Sequence, residues 1–226
     1  MRVLLVAPHP DDEVLGAGGT LARHSRKKDE VYLCIVTKAY TPDWSKEFIE
    51  NRRKEVLAAN KILGIKRTYF LDFPTVKLDT VPQKELNDSI TNCVRDIAPD
   101  ILYIPHRGDL NHDHRLVFDA ALVASRPPRP PPRPLGPVNR ILCYETPSET
   151  DFAAPFRDVA FIPNTYVDIA KTIETKIRAL RAFKSEIREF PHPRSATLLL
   201  ALARKRGAEA GMKAAEAFML IRERIV

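Results

Sequence analysis

Apolar runs bounded by turn-forming residues alternate along this chain with longer segments whose apolar positions recur at helical spacing. The alternation predicts a strand from Arg2 to Ala7, a helix from about Leu15 to Ser25, a strand from Val31 to Thr37 and a helix from Lys46 to Leu63. It continues with a strand from Lys66 to Phe70, a helix from Pro82 to Ile97, a strand from Ile101 to Ile104 and a helix from Val117 to Ala124. Strand–helix repeats of this length argue for an α/β fold with a Rossmann-like, mostly parallel sheet and helices on both faces. Beyond them the pattern predicts strands from Arg140 to Glu145 and near Tyr166 to Ile169, and a long helix from about Ala170 to Glu189. Helices over Arg194 to Arg204 and Gly211 to Arg224 are expected to close the chain.

The helix ending at Ala124 runs into Arg126-Pro127-Pro128-Arg129-Pro130-Pro131-Pro132-Arg133-Pro134. Such a tract cannot continue a helix and favours polyproline II, so it reads as a stiff surface loop over about 126–138. No internal repeat is visible. The 226 residues suffice for one α/β domain with a full core and are too few for two large ones, so residues 1–226 are expected to form a single domain.

Two predicted strands end in clusters of histidine and carboxylate. The first, Val3 to Ala7, runs directly into Pro8-His9-Pro10-Asp11-Asp12-Glu13 and then the glycine-rich Gly16 to Gly19. The second, Ile101 to Ile104, runs into Pro105-His106-Arg107-Gly108-Asp109-Leu110-Asn111-His112-Asp113-His114-Arg115. Right-handed crossovers place these strand ends along one edge, where the loops of an open α/β sheet bind ligands. His9 and Asp12 have the spacing for an imidazole and a carboxylate to converge on one cation from a tight turn, and His114, followed by a helical pattern, is the natural third ligand. Two histidines and one carboxylate leave a position open for water. Asp11, between two ligands, is then the candidate general base. Glu13 is expected to support the loop and the following helix N-terminus, and Asp113 to orient a ligand imidazole or cap its helix. Tyr144 and Glu145, at another strand end, are candidates for lining the pocket. His106, either a residue that supports a ligand or merely the strand terminus, and His112, read as a loop residue, are weaker candidates for a group that passes a proton.

The pairing of Pro8-His9-Pro10-Asp11-Asp12-Glu13 with Asp109-x-Asn111-x-Asp113-His114-Arg115 resembles the LmbE/PIG-L family of zinc-dependent deacetylases, which act on N-acetylglucosamine-containing substrates. The likeness extends through Arg52-x-x-Glu55-x-x-x-Ala59-x-x-x-Leu63-Gly64-Ile65 and Leu71-Asp72-Phe73-Pro74. It continues in Tyr144-Glu145-Thr146-Pro147-Ser148, Pro191-His192-Pro193-Arg194-Ser195 and Arg206-Gly207 through Gly211 to Ala215-Glu216-Ala217-Phe218. The resemblance implies that His9, Asp12 and His114 bind Zn2+, that Asp11 activates the bound water, and that Arg52 and Asp72 contact sugar. One position departs: where many members carry His-x-x-His, the first histidine is here Asn111. An amide donates a hydrogen bond to an oxyanion but cannot pass a proton. The acid is then Asp11 after it has taken the water proton, or another histidine, with His192 the candidate, from its own chain or a neighbouring subunit.

The formal charge is +7 and the isoelectric point about 9.4. The excess falls mainly in the proline tract and over Lys171 to Arg206, without the interleaved aromatics of a nucleic-acid face, so no specific nucleic acid is expected. An anionic sugar conjugate would suit the charge. Cys34, Cys93 and Cys143 form no CxxC pair and read as buried thiols of a reducing compartment. With no signal segment and no run long enough to span a bilayer, a cytoplasmic enzyme is expected, and a homo-oligomer. Two other functions fit the same residues: an amidase acting on another amide, such as a thiol-sugar conjugate, and a non-catalytic metal-containing binding protein.

Overall fold

The computed structural model describes residues 1–127 and 138–225. The loop predicted over 126–138 therefore lies almost wholly outside the described residues. Within them the order is β1 (Arg2–Ala7), α1 (Asp12–Arg26), β2 (Glu30–Lys38), α2 (Lys46–Leu63), β3 (Arg67–Pro74), α3 (Gln83–Ile97), β4 (Ile101–Pro105) and α4 (His112–Ala124). There follow β5 (Arg140–Tyr144), β6 (Thr165–Asp168), α5 (Ile173–Ala182), α6 (Ala196–Glu209) and β7 (Ala215–Glu223).

All seven strands form one sheet, ordered β3-β2-β1-β4-β5-β7-β6. Strands β1 to β5 pair in parallel, and β7 is antiparallel to both β5 and β6. The α/β reading is borne out, with helices on both faces. In β1 the pleat sends Val3, Leu5 and Ala7 into a core with α1, α2, α5 and α6, and Leu4 and Val6 into a second core with α3 and α4. A strand buried on both sides must be apolar throughout, which is why its sequence reads as a continuous run. Strand order reverses between β1 and β4, so the loops leaving these two neighbours diverge and open a crevice.

Several predicted elements differ. The expected helix over Gly211 to Arg224 is instead the strand β7, despite its helix-favouring Ala, Glu and Arg. Phe218 and Leu220 pack on one face of the sheet and Met219 on the other, a period-two pattern that the open slot between β5 and β6 selects over local propensity. The helix expected to reach Glu189 stops at Ala182, because the following segment turns to α2: Ser185 donates from its backbone N–H and its hydroxyl to Glu55, at 3.0 and 2.6 Å. Helix α1 begins at Asp12, ahead of the expected Leu15; α4 begins at His112, expected as a loop residue, ahead of Val117; and α6 ends at Glu209, past the expected Arg204.

Helix α1 is broken at Ala17 (φ −140°, ψ 16°). The break interrupts its ladder, and distant residues supply the partners. Lys176 of α5 donates from Nζ to the Leu15 carbonyl at 2.8 Å, while Glu216 of β7 accepts from the N–H groups of Gly19 and Thr20 at 2.9 and 2.7 Å. Lys176 and Glu216 also pair with each other at 2.6 Å, both almost fully buried. Gly16 lets the first half of α1 approach β5: a Cβ there would lie 2.3 Å from the Tyr144 ring.

Candidate metal centre and cleft

His9 and Asp12 leave the end of β1, and His114 lies in the first turn of α4, directly after β4. The three converge across the crevice, offering ligand atoms within 4.8 Å of one another. His9 Nδ1 lies 3.3 Å from His114 Nε2, and Asp12 Oδ2 lies 3.4 Å from each of those nitrogens. Ligands about 2.0–2.2 Å from a tetrahedral zinc are separated by about 3.3–3.6 Å, so the triangle has the right size.

The remaining ring nitrogens are committed to carboxylates. His9 Nε2 donates to Asp113 Oδ2 at 2.9 Å, and His114 Nδ1 donates to Asp109 Oδ2 at 2.8 Å. Carboxylates only accept, so in the neutral imidazoles the lone pairs of His9 Nδ1 and His114 Nε2 face each other. Two facing lone pairs beside a buried carboxylate suit a bound cation. Asp113 is itself held by the N–H groups of Val76 and Leu78, and Asp109 by the Thr150 hydroxyl. Of the two roles expected for Asp113, orienting an imidazole is the one found. The helix cap is Asn111, whose side chain accepts from Asp113 N at 3.0 Å.

The electrostatics follow from this packing. Burial disfavours a charged His114, but Asp12 and Asp109 outweigh it and push its pKa up to about 10. The field that holds a proton there would equally hold a metal cation. Asp12 is buried too, yet His114 and His9 keep its carboxyl well below the usual range. Asp11 lies in the left-handed region at φ 104°. Burial raises its pKa to about 6 against the pull of Arg52 and Arg194, whose guanidinium nitrogens lie 3.6 and 3.2 Å from Oδ2. Glu13 accepts from the Asp11 N–H at 3.0 Å, and burial with the nearby Asp11 lifts its pKa to about 8.

A cleft of about 160 Å³ opens above this cluster. His9, Asp11, Arg52, Asn111, Glu149 and Arg194 contribute to its walls, with Trp44, Phe48 and Glu186. Arg52 of α2 donates to the Pro10 carbonyl at 2.6 Å and lies 2.9 Å from Glu186. Asp72 ends up in a neighbouring hollow of about 260 Å³, half-exposed and 3.6 Å from Arg53. Arg52 borders both cavities.

Other expected residues are placed elsewhere. Tyr144 is fully buried and donates its hydroxyl to the Val6 carbonyl at 2.9 Å, joining β5 to β1 rather than lining the cleft. Glu145 is held by Arg206 through Oε1 and Oε2, at 2.8 and 2.6 Å. His192 is exposed, and its Nδ1 accepts from the Arg194 N–H at 3.0 Å, so within its own chain the ring turns back on its segment. Arg194, two residues on, enters the cleft instead. His106 donates to the Val159 carbonyl at 2.8 Å, and His112 is exposed.

The sequence reading gave no role to Asp109, Glu149, Glu186 or Arg194. Asp109 carried a signal, lying within the second cluster five residues before His114. Arg194 carried a weaker one in its proline-bounded segment, and the two glutamates carried none beyond their charge.

Residues 4–125 match the family model for GlcNAc-PI de-N-acetylase, PIG-L. The uncharacterized deacetylase YaiS of Escherichia coli is 31% identical over 192 residues, 81% of this chain and 90% of that protein. The diacetylchitobiose deacetylase of Thermococcus kodakarensis is 28% identical over 200 residues, covering 83% of this chain and 71% of its own. Among solved structures, the N,N'-diacetylchitobiose deacetylase of Pyrococcus horikoshii superposes with a TM-score of 0.78 at 25% identity, covering 97% of this chain and 83% of that one. The matched region contains both strand-end clusters. The chain belongs to the PIG-L (LmbE-like) family of deacetylases.

Proposed function

We propose that this protein is a zinc-dependent N-deacetylase that hydrolyses the acetamide of an N-acetylglucosamine-type sugar or conjugate. The observation that carries the reading is the triangle of His9, Asp12 and His114, 3.3 to 3.4 Å on a side, with the buried Asp11 carboxyl beside it at the foot of an open cleft. Zinc held by these three residues would polarise the acetamide carbonyl and lower the pKa of water at the site.

The chain's own residues supply the rest. Asp11 takes the proton of the attacking water; its raised pKa suits a group that must hold that proton near neutrality. Asn111 Oδ1 is occupied by the helix cap, which leaves its Nδ2 to donate toward the oxygen on which negative charge develops. Arg52 and Arg194 flank Asp11 and hold its carboxyl in place. Trp44 and Phe48 offer apolar surface of the kind that packs on a sugar ring.

In the cleft, Arg52 and Arg194 are offset by Asp11 and Glu186, so the chain's positive charge is not expressed at the reacting end. An uncharged acetylated sugar therefore suits it better than an anionic group there. The test is acetate release by zinc-loaded protein from a panel of N-acetylglucosamine conjugates. Turnover of at least one, abolished by chelation and restored by zinc, is the expected result. Release only from unrelated acetamides would move the reading to another amidase.

A further inference from the structure

With Asn111 in place of a histidine, the proton for the departing amine comes either from Asp11, once it has taken the water proton, or from a second group in the cleft. The polar groups around the site differ in their ability to supply it. His192 faces solvent, and His106 is bonded to the Val159 carbonyl. Glu13 is turned to the backbone of Asp11. Glu186 is engaged by the guanidinium groups of both Arg52 and Arg194. Glu149 is different. It lines the same cleft as His9, Asp11 and Asn111, and among the described residues its one side-chain hydrogen bond is a long one, 3.4 Å from Oε1 to Arg194 Nη2.

The position of Glu149 is built, not incidental. The turn after β5 is closed by Glu149 N donating to the Thr146 carbonyl at 3.0 Å and by Thr146 N donating to the Thr150 hydroxyl at 2.8 Å. It is fastened to the loop after β4: Leu110 N donates to the Glu149 carbonyl at 3.1 Å, and the Thr150 hydroxyl donates to Asp109 at 2.6 Å. Asp109 orients His114, and Asn111 lies next to Leu110. The residues flanking Glu149 thus fix it relative to the candidate metal ligands.

We propose that Glu149 is the proton donor to the leaving amine, an assignment that rests on the deacetylase reading above. Water adds to the acetamide carbon and gives one proton to Asp11. The C–N bond then breaks as the Glu149 carboxyl passes its proton to nitrogen, releasing the free amine and acetic acid. Asp11 returns its proton to solvent, and Glu149 regains one from solvent before the next turnover. Burial raises the pKa of Glu149, with the nearby Asp12 acting in the same direction and His114, Arg194 and His9 against it. Arg52, Asp11 and Glu186 complete the charged groups that line its cleft.

The experiment compares zinc-loaded wild type, Glu149→Gln, Glu149→Asp and Asp11→Asn on an acetylated sugar that the wild type turns over. For Glu149→Gln, zinc content and melting temperature are expected to match wild type, KM to change little, and kcat to fall about a hundredfold. The alkaline decline of kcat that ionisation of Glu149 produces should vanish in this variant, and Glu149→Asp should retain part of the activity. Wild-type-like kcat in Glu149→Gln, or a loss equal at every pH with the alkaline decline retained, overturns the assignment while leaving the deacetylase reading intact. If the wild type itself releases no acetate from any acetamide tested, both fall together.

Discussion

Asp113 binds the two halves of the site through His9: one carboxylate accepts from the imidazole at 2.9 Å and from the N–H groups of Val76 and Leu78 at 2.6 and 3.2 Å. The ring from the β1 loop is thus oriented by a residue of α4 and steadied by the segment after β3. Removing such a partner typically weakens metal affinity by about 10- to 100-fold. Asp113→Ala is expected to do so in zinc titrations, with Asp109→Ala behaving alike through His114. Unchanged zinc affinity in both variants would show that neither imidazole serves the cation.

Asp11→Asn should keep its zinc, because the three candidate ligands remain, and should lose about a hundred- to ten-thousand-fold in turnover, because an amide is no base. Acetate release measured together with zinc content checks this. A variant that retains both metal and near-normal turnover would leave Asp11 only as the left-handed hinge of its loop.

The Lys176–Glu216 pair offers a test of stability independent of catalysis. Losing one partner of a buried pair typically costs about 3–5 kcal/mol, since the other charge is left without compensation. Lys176→Met is expected to destabilise the fold by that amount in urea titrations. Adding Glu216→Gln should recover part of the loss, because a neutral amide can still accept from the N–H groups of Gly19 or Thr20. A single variant within about 1 kcal/mol of wild type would contradict a load on this contact.

His24 makes stability sensitive to acid. Burial lowers its pKa below the ordinary 6.5, against the hydrogen bond to Asp29. The unfolded chain therefore takes up a proton at higher pH than the native state does. Stability is present above the unfolded value and falls as pH drops from about 6.5 through the lowered native value. Asp29, also lowered, through His24 and the N-terminal amine, adds a loss in the same direction at more acidic pH. His24→Gln should flatten the upper part of this slope in unfolding curves recorded between about pH 5 and 7.

The legibility of this chain divides by how local the determining forces are. The β1 and β4 strands were readable because burial on both faces demands unbroken apolar runs, and the candidate ligands were readable because they lie at the ends of those runs. Strand β7 was not. Its Ala215-Glu216-Ala217 would favour a helix alone, and only the slot between β5 and β6 and the waiting N–H groups of Gly19 and Thr20 make it a strand. The same distinction separates His192 from Arg194. Chemistry and proline content drew attention to the histidine, while the reach of a long side chain toward Asp11 and Glu149 depends on folding that brings Arg194 across from a distant segment. Glu149 owes its place to a turn whose fastening to the loop after β4 leaves no local mark.

The position of β7 in the sheet has a consequence for biosynthesis. Proteins emerge from the ribosome N-terminus first, and β7 is the last strand to appear although it sits inside the sheet. Until it arrives, β5 presents an unpaired edge and β6 has no neighbour in the sheet. The nascent chain can assemble β3-β2-β1-β4-β5 and still hold α1 unfinished, since the acceptor for Gly19 and Thr20 has yet to be translated. A ribosome stalled before Glu216 would thus carry every candidate ligand and an exposed sheet edge, a species suited to chaperone capture more than to catalysis.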